Sequence, residues 1–395
     1  MTDSKRLPPA EKTQLTVGFM RLTDSAPLIM ARELGYFEAL GLEVKLVREV
    51  SWANLRDRLV MGDLDAAQML APLPMMTAYG AGGLRANLLT GLSLSLNGNA
   101  ITLAGQLWQR LGMPLNREAA AADSVCRLRA HLDNVSRKPG LTLATVHLFS
   151  MHTLLLRMWL TAGGIDPDRD VRIIVLPPEQ MCDSLARGVI DGFCVGEPWN
   201  SLAVMQGTGF IAATGYQVWN NAPEKVLAVT ENWHKLNNAS HLRLRIAVMK
   251  AQQYLADSGR AEAIAEILSQ PSYLNLPVKV MLPSLSGQLR FYKTEPPVAV
   301  PDFHVFWRYQ AGFPWRSDAR ALVNLSSYAL ASPVAPEQVS ALVQQCYRPN
   351  LYREAARHLS LPAPGKDSRP LNRHDSLWTF ENGIELGADR QMVVP

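Results

Sequence analysis

Short apolar strands alternate with amphipathic helices along most of the chain. The segment LTVGFM (15–20) predicts a buried strand, and the alternating segment LEVKLVREV (42–50) predicts a second one. Between them, Leu28, Ala31 and Leu34 recur at helical spacing. Strands that alternate with helices in this way favour an α/β fold with a mostly parallel sheet.

The same signals return further along the chain. The segment 84–104 predicts one or two buried strands, and Ser150 is a typical N-cap for a helix over MHTLLLRMWLTA (151–162). The stretch DGFCVGEPWN (191–200) predicts a strand that ends in a loop. Gly196 in that loop has no side chain, so its backbone N–H can approach a ligand closely.

The order of these segments predicts two α/β lobes that close on a ligand held between them. The predicted division comprises a flexible N-terminus (1–14), the first part of lobe 1 (15–104), lobe 2 (105–222), a largely helical return to lobe 1 (223–361) and an irregular C-terminal tail (362–395).

Composition narrows the class of protein. The chain has 395 residues, of which 48% are hydrophobic and 19% charged, as expected for a globular protein with a large core. A formal net charge of +4 is too mild to indicate a nucleic-acid surface. The polar N-terminus lacks the apolar core of a signal peptide, so we expect a cytoplasmic protein. The four cysteines show no metal or redox spacing, and we expect them to be reduced and mostly buried.

The common catalytic and metal-binding motifs are missing from the sequence. It contains no phosphate-binding G-x-x-x-x-G-K-[ST], no G-x-G-x-x-G, no H-E-x-x-H and no G-x-S-x-G. His147 and His152 are spaced poorly for two metal ligands on one helix face. We therefore expect a protein that is not an enzyme and that needs neither a metal nor a cofactor.

Several segments together resemble the NrtA-type nitrate-binding proteins, in the right order and over nearly the whole chain. The segments that carry the resemblance are LTDSAPLIMARELGYFEALGL, VSWANLRDRLVMGDLDAAQMLAPLP, LNGNAIT, MHTLLLRMWLTAGGIDPDRDV, VLPPEQM, DGFCVGEPWN, PEKVLAVT and FWRYQAGFPWRSDA. The resemblance implies the two-lobed fold of type II periplasmic binding proteins, with the ligand cleft between the lobes.

The resemblance also implies an anion site at five positions of this chain. They are Trp52 in SWANLRD, Asn99 after NG, His152 at the start of its helix, Gly196 in VGEPW and Lys225 in PEK. Asn99 departs from the family pattern, since transporter-type members carry Gln there. Taken singly, each residue has an ordinary structural role as an alternative: packing, helix ends, turns or a solvated lysine. For Asn99 that alternative, turn chemistry after Gly98, is as good as the binding role.

The five positions suit the chemistry of nitrate. Nitrate is planar, monovalent and a hydrogen-bond acceptor only, so its site must offer donors and about one positive charge. Lys225 is expected to supply that charge. His152 falls in the first turn of its helix, where free N–H groups favour anions. No carboxylate is expected in the pocket, which argues against the related bicarbonate binders.

Within the family, the chain resembles the cytoplasmic nitrate/nitrite sensors of the NasS type. That resemblance implies a protein that holds a NasT-type RNA-binding antiterminator and releases it when nitrate or nitrite binds, which controls nitrate-assimilation genes. Three alternatives stay open: the periplasmic solute-binding component of a nitrate or bicarbonate ABC importer, an enzyme related to the thiamine pyrimidine synthase on the same fold, and a docking protein without a ligand.

Overall fold

The computed structural model describes residues 7–112, 120–134, 139–369, 378–379 and 385–386. Strands and helices alternate through most of this part of the chain. The strands are β1 Gln14–Met20, β2 Glu43–Glu49, β3 Ala66–Leu70, β4 Leu88–Asn97, β5 Asn99–Ala104, β6 Leu141–Thr145, β7 Val171–Val175, β8 Gly192–Gly196, β9 Gly209–Thr214, β10 Pro223–Thr230, β11 Gln288–Leu289, β12 Val298–Ala299, β13 His304–Val305, β14 Trp378–Thr379 and β15 Glu385–Leu386.

The helices lie between these strands and, after β10, dominate the chain. They are α1 Ala26–Glu33, α2 Trp52–Met61, α3 Leu73–Tyr79, α4 Gln106–Arg110, α5 Ala120–Asp133, α6 Met151–Ala162, α7 Met181–Ala186, α8 Trp199–Gln206, α9 Gly215–Val218, α10 Glu231–Leu236, α11 Asn238–Leu255, α12 Ala261–Ser269, α13 Val278–Ser286, α14 Arg316–Ser326, α15 Pro336–Cys346 and α16 Pro349–His358.

The chain divides into two compact units. Unit 1 comprises Met1–Leu96, Pro223–Leu268 and Val305–Arg369. Its sheet has the strand order β13-β4-β10-β3-β1-β2. β1 runs parallel to β2 and β3, whereas β10 runs antiparallel to β3 and β4, so the sheet is mixed rather than mostly parallel. β3 and β4 are buried along their whole length, so their polar side chains, among them Gln68 and Ser95, are buried together with the apolar ones.

Unit 2 comprises Asn97–Ala222, Ser269–His304 and Pro370–Pro395. Its main sheet has the order β7-β6-β8-β5-β9, in which β6 is parallel to β7 and β8, and β5 is antiparallel to β8 and β9. Two boundaries differ from the predicted lobes. β5 belongs to unit 2 because it pairs with β8 and β9, and residues 269–304 belong there because α13 packs on α8 and Phe291 shares a core cluster with Val204.

The described part of the predicted flexible N-terminus is tied to unit 1. Glu11 accepts hydrogen bonds from the backbone N–H groups of Ala239 and Ser240, at 3.0 Å each, at the start of α11. Lys12 forms an ion pair with Asp65 at 2.6 Å. These contacts fix the chain just before β1. Residues 1–6 lie outside the described residues.

The predicted irregular tail is described only in part. Asp367 forms ion pairs with Arg316 at 2.8 Å and with Arg353 at 2.7 Å. Arg369 reaches Asp318 at 2.9 Å, so residues up to Arg369 are anchored on α14 and α16. The rest of the tail lies outside the described residues, apart from the paired strands β14 and β15.

Two further expectations concern cysteines and membrane spans. Cys182, Cys194 and Cys346 are buried free thiols, as expected, while Cys126 is exposed. Burial raises the pKa of both the Cys182 and the Cys346 thiol to about 12, so these two cysteines stay protonated at neutral pH. Among the described residues, none of the helices has the length and apolar character needed to cross a bilayer.

Candidate functional site

Trp52 is the first residue of helix α2 in unit 1. The Ser51 hydroxyl caps the helix by accepting the backbone N–H of Asn54 at 3.2 Å. The Trp52 side chain is 1% exposed. Its indole Nε1 is buried and meets no hydrogen-bond acceptor among the described residues. A buried N–H group without an acceptor is costly, so this position favours a ligand that accepts a hydrogen bond.

Lys225 lies beside Trp52, on strand β10, and is fully buried. Its Nζ atom is 5.2 Å from the centroid of the Trp52 ring, which places the ammonium over the indole. The ammonium pairs with Asp24 Oδ2 at 2.9 Å and donates a hydrogen bond to Glu224 Oε1. Burial alone would lower the pKa of Lys225, but the charges of the two carboxylates hold that pKa above its ordinary value. Lys225 is therefore a charged donor.

Neighbouring strands hold these groups in place. Gln68 on β3 donates its side-chain N–H to Asp24 and accepts the backbone N–H of Met20 at 2.8 Å. Ser95 on β4 is the register partner of Lys225. Directly opposed residues of an antiparallel pair share a face of the sheet. The Ser95 hydroxyl is buried and makes no hydrogen bond among the described residues, so it offers a second polar group beside Lys225.

The carboxylates correct one expectation from the sequence. From the sequence we expected no carboxylate in the pocket, and we expected Lys225 to supply the compensating positive charge. In the structure, the ammonium of Lys225 already has two carboxylate partners, Asp24 and Glu224. Since carboxylates are present beside Lys225, their expected absence no longer counts against a bicarbonate ligand. Asp24, Glu224 and Ser95 are the site residues that the sequence analysis missed.

Asn99 and Gly196 lie together in unit 2, since they are register partners in the pairing of β5 with β8. Both residues are buried. The Asn99 side chain also packs tightly against Gly215, the first residue of α9. A Cβ atom at Gly215 would lie 1.7 Å from Asn99 Oδ1, so only glycine permits this position of the amide. Two strands and a helix start thus fix the Asn99 amide.

His152 is the second residue of α6 in unit 2, and it is fully buried. The Ser150 hydroxyl caps this helix as predicted, by accepting the backbone N–H of Thr153 at 3.1 Å. The first turn of a helix carries free backbone N–H groups and the positive end of the helix dipole. The position of His152 therefore suits an anion, as the sequence analysis expected from its place in the helix.

Glu197 follows Gly196 directly and is also buried. Burial raises the pKa of Glu197 to about 7, although the Ser201 N–H, which donates to Glu197 Oε2 at 3.2 Å, opposes that rise. Near neutral pH this carboxyl is thus partly protonated. The stretch DGFCVGEPWN predicted a loop with Gly196, but no sequence pattern in it marks Glu197 as a carboxyl group that titrates near neutral pH.

The structure thus brings the predicted residues together in two sets, each described within its own unit. Trp52 and Lys225 form the first set, and Asn99, Gly196 and His152 belong to the second. Most of their polar groups are hydrogen-bond donors. In the part of the chain that the structure describes, His, Cys, Asp and Glu side chains form no group of three or more that could hold a metal ion. Within each unit, these donors suit an anion that accepts hydrogen bonds.

Comparison with known proteins gives one family and a consistent set of relatives. The model of the NMT1-like family matches residues 8–269. The nitrate import ATP-binding protein NrtC of Synechocystis sp. is 37% identical over 97% of this chain and 56% of its own length. The bicarbonate transport ATP-binding protein CmpC of Synechococcus elongatus is 36% identical over 96% of this chain and 56% of its own length. The chain thus spans about half the length of these relatives.

Proteins of matching length are also similar. The nitrate/nitrite binding protein NrtA of Synechococcus elongatus is 32% identical over 94% of this chain and 82% of its own length. The crystal structure of the periplasmic nitrate-binding protein NrtA from Synechocystis PCC 6803 superimposes with a TM-score of 0.85. The two share 28% sequence identity over 96% of each chain. The expected periplasmic-binding-protein-like α/β fold is thereby confirmed.

Proposed function

The chain belongs to the NMT1-like family, and to the NrtA-type proteins within it, and we propose on this basis that it binds nitrate or nitrite. One observation of this structure carries the proposal. The buried indole N–H of Trp52 meets no acceptor among the described residues and lies beside the buried ammonium of Lys225. An oxyanion supplies the acceptor that Trp52 lacks.

We assign five residues to the ligand: Trp52, Asn99, His152, Gly196 and Lys225. Their donor groups are an indole N–H, an amide NH₂, an imidazole N–H, a backbone N–H and an ammonium. Both the family membership and the donor chemistry support this assignment. For Asn99, the fixed position against Gly215 supports a defined role, although its amide is shorter than the Gln of transporter-type members.

The test of the binding function is calorimetric titration of the purified protein with nitrate, with nitrite and bicarbonate in parallel. We expect saturable binding of nitrate, and Trp52→Phe should weaken it by about 10- to 100-fold, because a hydrogen bond to a charged group is lost. Trp315→Phe is the matched control, since Trp315 Nε1 is likewise buried without an acceptor among the described residues. Equal nitrate affinities for the two variants would refute the assignment of Trp52.

For the biological role, we propose a cytoplasmic sensor that holds a NasT-type RNA-binding antiterminator and releases it when nitrate or nitrite binds. The resemblance of the sequence to NasS-type sensors supports this role. The names of the similar proteins NrtC, CmpC and NrtA favour a second candidate, the solute-binding component of a nitrate or bicarbonate importer. In either role the protein binds its ligand without transforming it.

The two roles differ in the partner that they require. For a sensor, we expect the purified protein to retain the antiterminator in a pull-down without nitrate and to release it when nitrate is added. A ligand shifts such an equilibrium only through different affinities for two states of the protein, so release must saturate together with nitrate binding. Failure to retain the antiterminator without nitrate would exclude the sensor and leave the importer component.

A further inference from the structure

Two buried hydroxyl groups of unit 1 lack hydrogen-bond partners. Thr23 Oγ1 and Ser95 Oγ belong to fully buried residues, and neither atom makes a hydrogen bond within the described part of the chain. Burial of a hydroxyl without a partner is costly, because the group loses its hydrogen bonds to water. Most buried polar groups in native proteins have a partner, so each exception needs an explanation.

Ser95 lies across the sheet from Lys225. The two residues are register partners in the antiparallel pairing of β4 with β10. Opposed residues of such a pair share a face of the sheet, and their Cβ atoms are typically about 4.5–5.5 Å apart. The register of this pairing shifts on both sides of Lys225. Irregularities of this kind are common next to functional sites, where they change the direction of a side chain.

Thr23 lies near Lys225 on a different element. It is the first residue of the 3-10 turn Thr23–Ser25, which follows β1 and leads into α1. The next residue of the turn, Asp24, places its Oδ2 atom 2.9 Å from Lys225 Nζ. The turn is therefore anchored at the ammonium, and the Thr23 hydroxyl is one residue away from that contact.

A third buried donor without an acceptor among the described residues lies beside the same ammonium. It is Trp52 Nε1, and Lys225 Nζ is 5.2 Å from the centroid of the Trp52 ring. Thr23, Ser95 and Trp52 come from a turn, a strand and a helix, and each has Lys225 in its surroundings. An oxyanion has several lone pairs, so it accepts hydrogen bonds from different directions. Hydroxyls add donors without adding charge, which suits a site that already contains its cation.

We infer that the hydroxyls of Thr23 and Ser95 donate hydrogen bonds to the anion that Trp52 and Lys225 bind. This inference rests on the proposed function and adds two residues to its ligand set. The two hydroxyls then lower the stability of the ligand-free protein and raise its affinity for a monovalent oxyanion. A hydroxyl that supports the fold behaves differently, because its removal lowers the stability of the ligand-free protein.

The experiment compares Ser95→Ala and Thr23→Val with the wild type in two assays of the full chain. In calorimetric titration with sodium nitrate, each variant should raise the Kd by about 10-fold or more, as expected when a hydrogen bond to a charged group is lost. In urea denaturation without ligand, each variant should have a higher midpoint than the wild type, because a buried hydroxyl without a partner has been removed.

Ser326→Ala is the matched control. The Ser326 hydroxyl is also buried without a hydrogen bond among the described residues. It lies at the end of α14, however, and this helix packs on α3 and α15. Ser326→Ala should raise the urea midpoint but leave the Kd for nitrate unchanged. An equal loss of nitrate affinity in Ser326→Ala and Ser95→Ala would count against the inference.

Three results are decisive. Nitrate affinities of Ser95→Ala and Thr23→Val equal to that of the wild type would overturn the inference and leave the proposed function intact. Weaker nitrate binding together with lower urea midpoints in both variants would also overturn it, because the hydroxyls would then support the fold. No nitrate or nitrite binding by the folded wild type would overturn the proposed function itself.

Discussion

Replacement of Lys225 by Met tests the buried charges that surround the candidate site. The Lys225 side chain is completely buried and is shared by Asp24 and Glu224, which are buried as well. Met keeps most of the aliphatic length but removes the ammonium. Loss of one partner of a buried ion pair costs about 3–5 kcal/mol, because it leaves an uncompensated buried charge. We expect a loss of stability in this range at pH 8.

The pH dependence of this loss follows from the direction of the pKa. The pKa of Lys225 is raised above its unfolded value, so its contribution to stability is complete below about pH 10 and disappears as the pH rises through the folded pKa. In the variant, the two carboxylates have lost their cation, and protonation relieves their repulsion. The difference between wild type and variant should therefore shrink as the pH decreases from 8 towards 5.

The assay is urea denaturation of the ligand-free protein at pH 8 and pH 5. Lys235→Met is the matched control, because the Lys235 side chain is 66% exposed and pairs with Glu231 on the surface at 2.9 Å. Such exposed pairs contribute at most about 1 kcal/mol. If Lys225→Met destabilised the protein at pH 8 no more than Lys235→Met does, this would refute a buried ion pair between Lys225 and the carboxylates of Asp24 and Glu224.

Two further predictions concern unit 2. Burial raises the pKa of Glu197 to about 7, so the folded state disfavours its ionised form. Glu197→Gln should therefore stabilise the protein by up to about 3 kcal/mol at pH 8 and have little effect at pH 4. Equal urea midpoints for the wild type and Glu197→Gln at pH 8 would contradict this prediction. Gly215→Ala should displace the Asn99 amide and weaken nitrate binding in calorimetry. Gly365→Ala is the control, since no atom of the described residues lies within 4 Å of its added Cβ; equal nitrate affinities for the two variants would show that the Asn99 position is unimportant.

Local signals predicted the parts of the site that depend on short stretches of sequence. Ser150 before the helix of His152 is a helix cap that can be recognised within a few residues, and the structure has this cap. The strands β4 and β5 lie within the segment 84–104, for which the sequence predicted one or two buried strands. These elements carry the donors, which explains why the predicted donor positions occupy helix starts and strand ends in the structure.

The carboxylates of the site could not be predicted in this way. Asp24 reaches Lys225 because β1, β3 and β10 are neighbours in one sheet, and no local pattern specifies that order. Glu224 precedes Lys225, and successive residues of a regular strand point to opposite faces. The register of β10 shifts between Pro223 and Lys225, and this irregularity accompanies the contact of the two side chains. The location of β5 in unit 2 likewise depends on its pairing with β8 and β9.

The most direct measurement is a crystal structure of the protein grown with nitrate. We predict a nitrate ion whose oxygens lie about 3 Å from both Trp52 Nε1 and Lys225 Nζ, which is the usual length of such hydrogen bonds. The contradicting result is a nitrate ion at full occupancy away from Trp52 and Lys225, with Trp52 Nε1 still lacking an acceptor. In that case the indole N–H and the ammonium do not form the anion site.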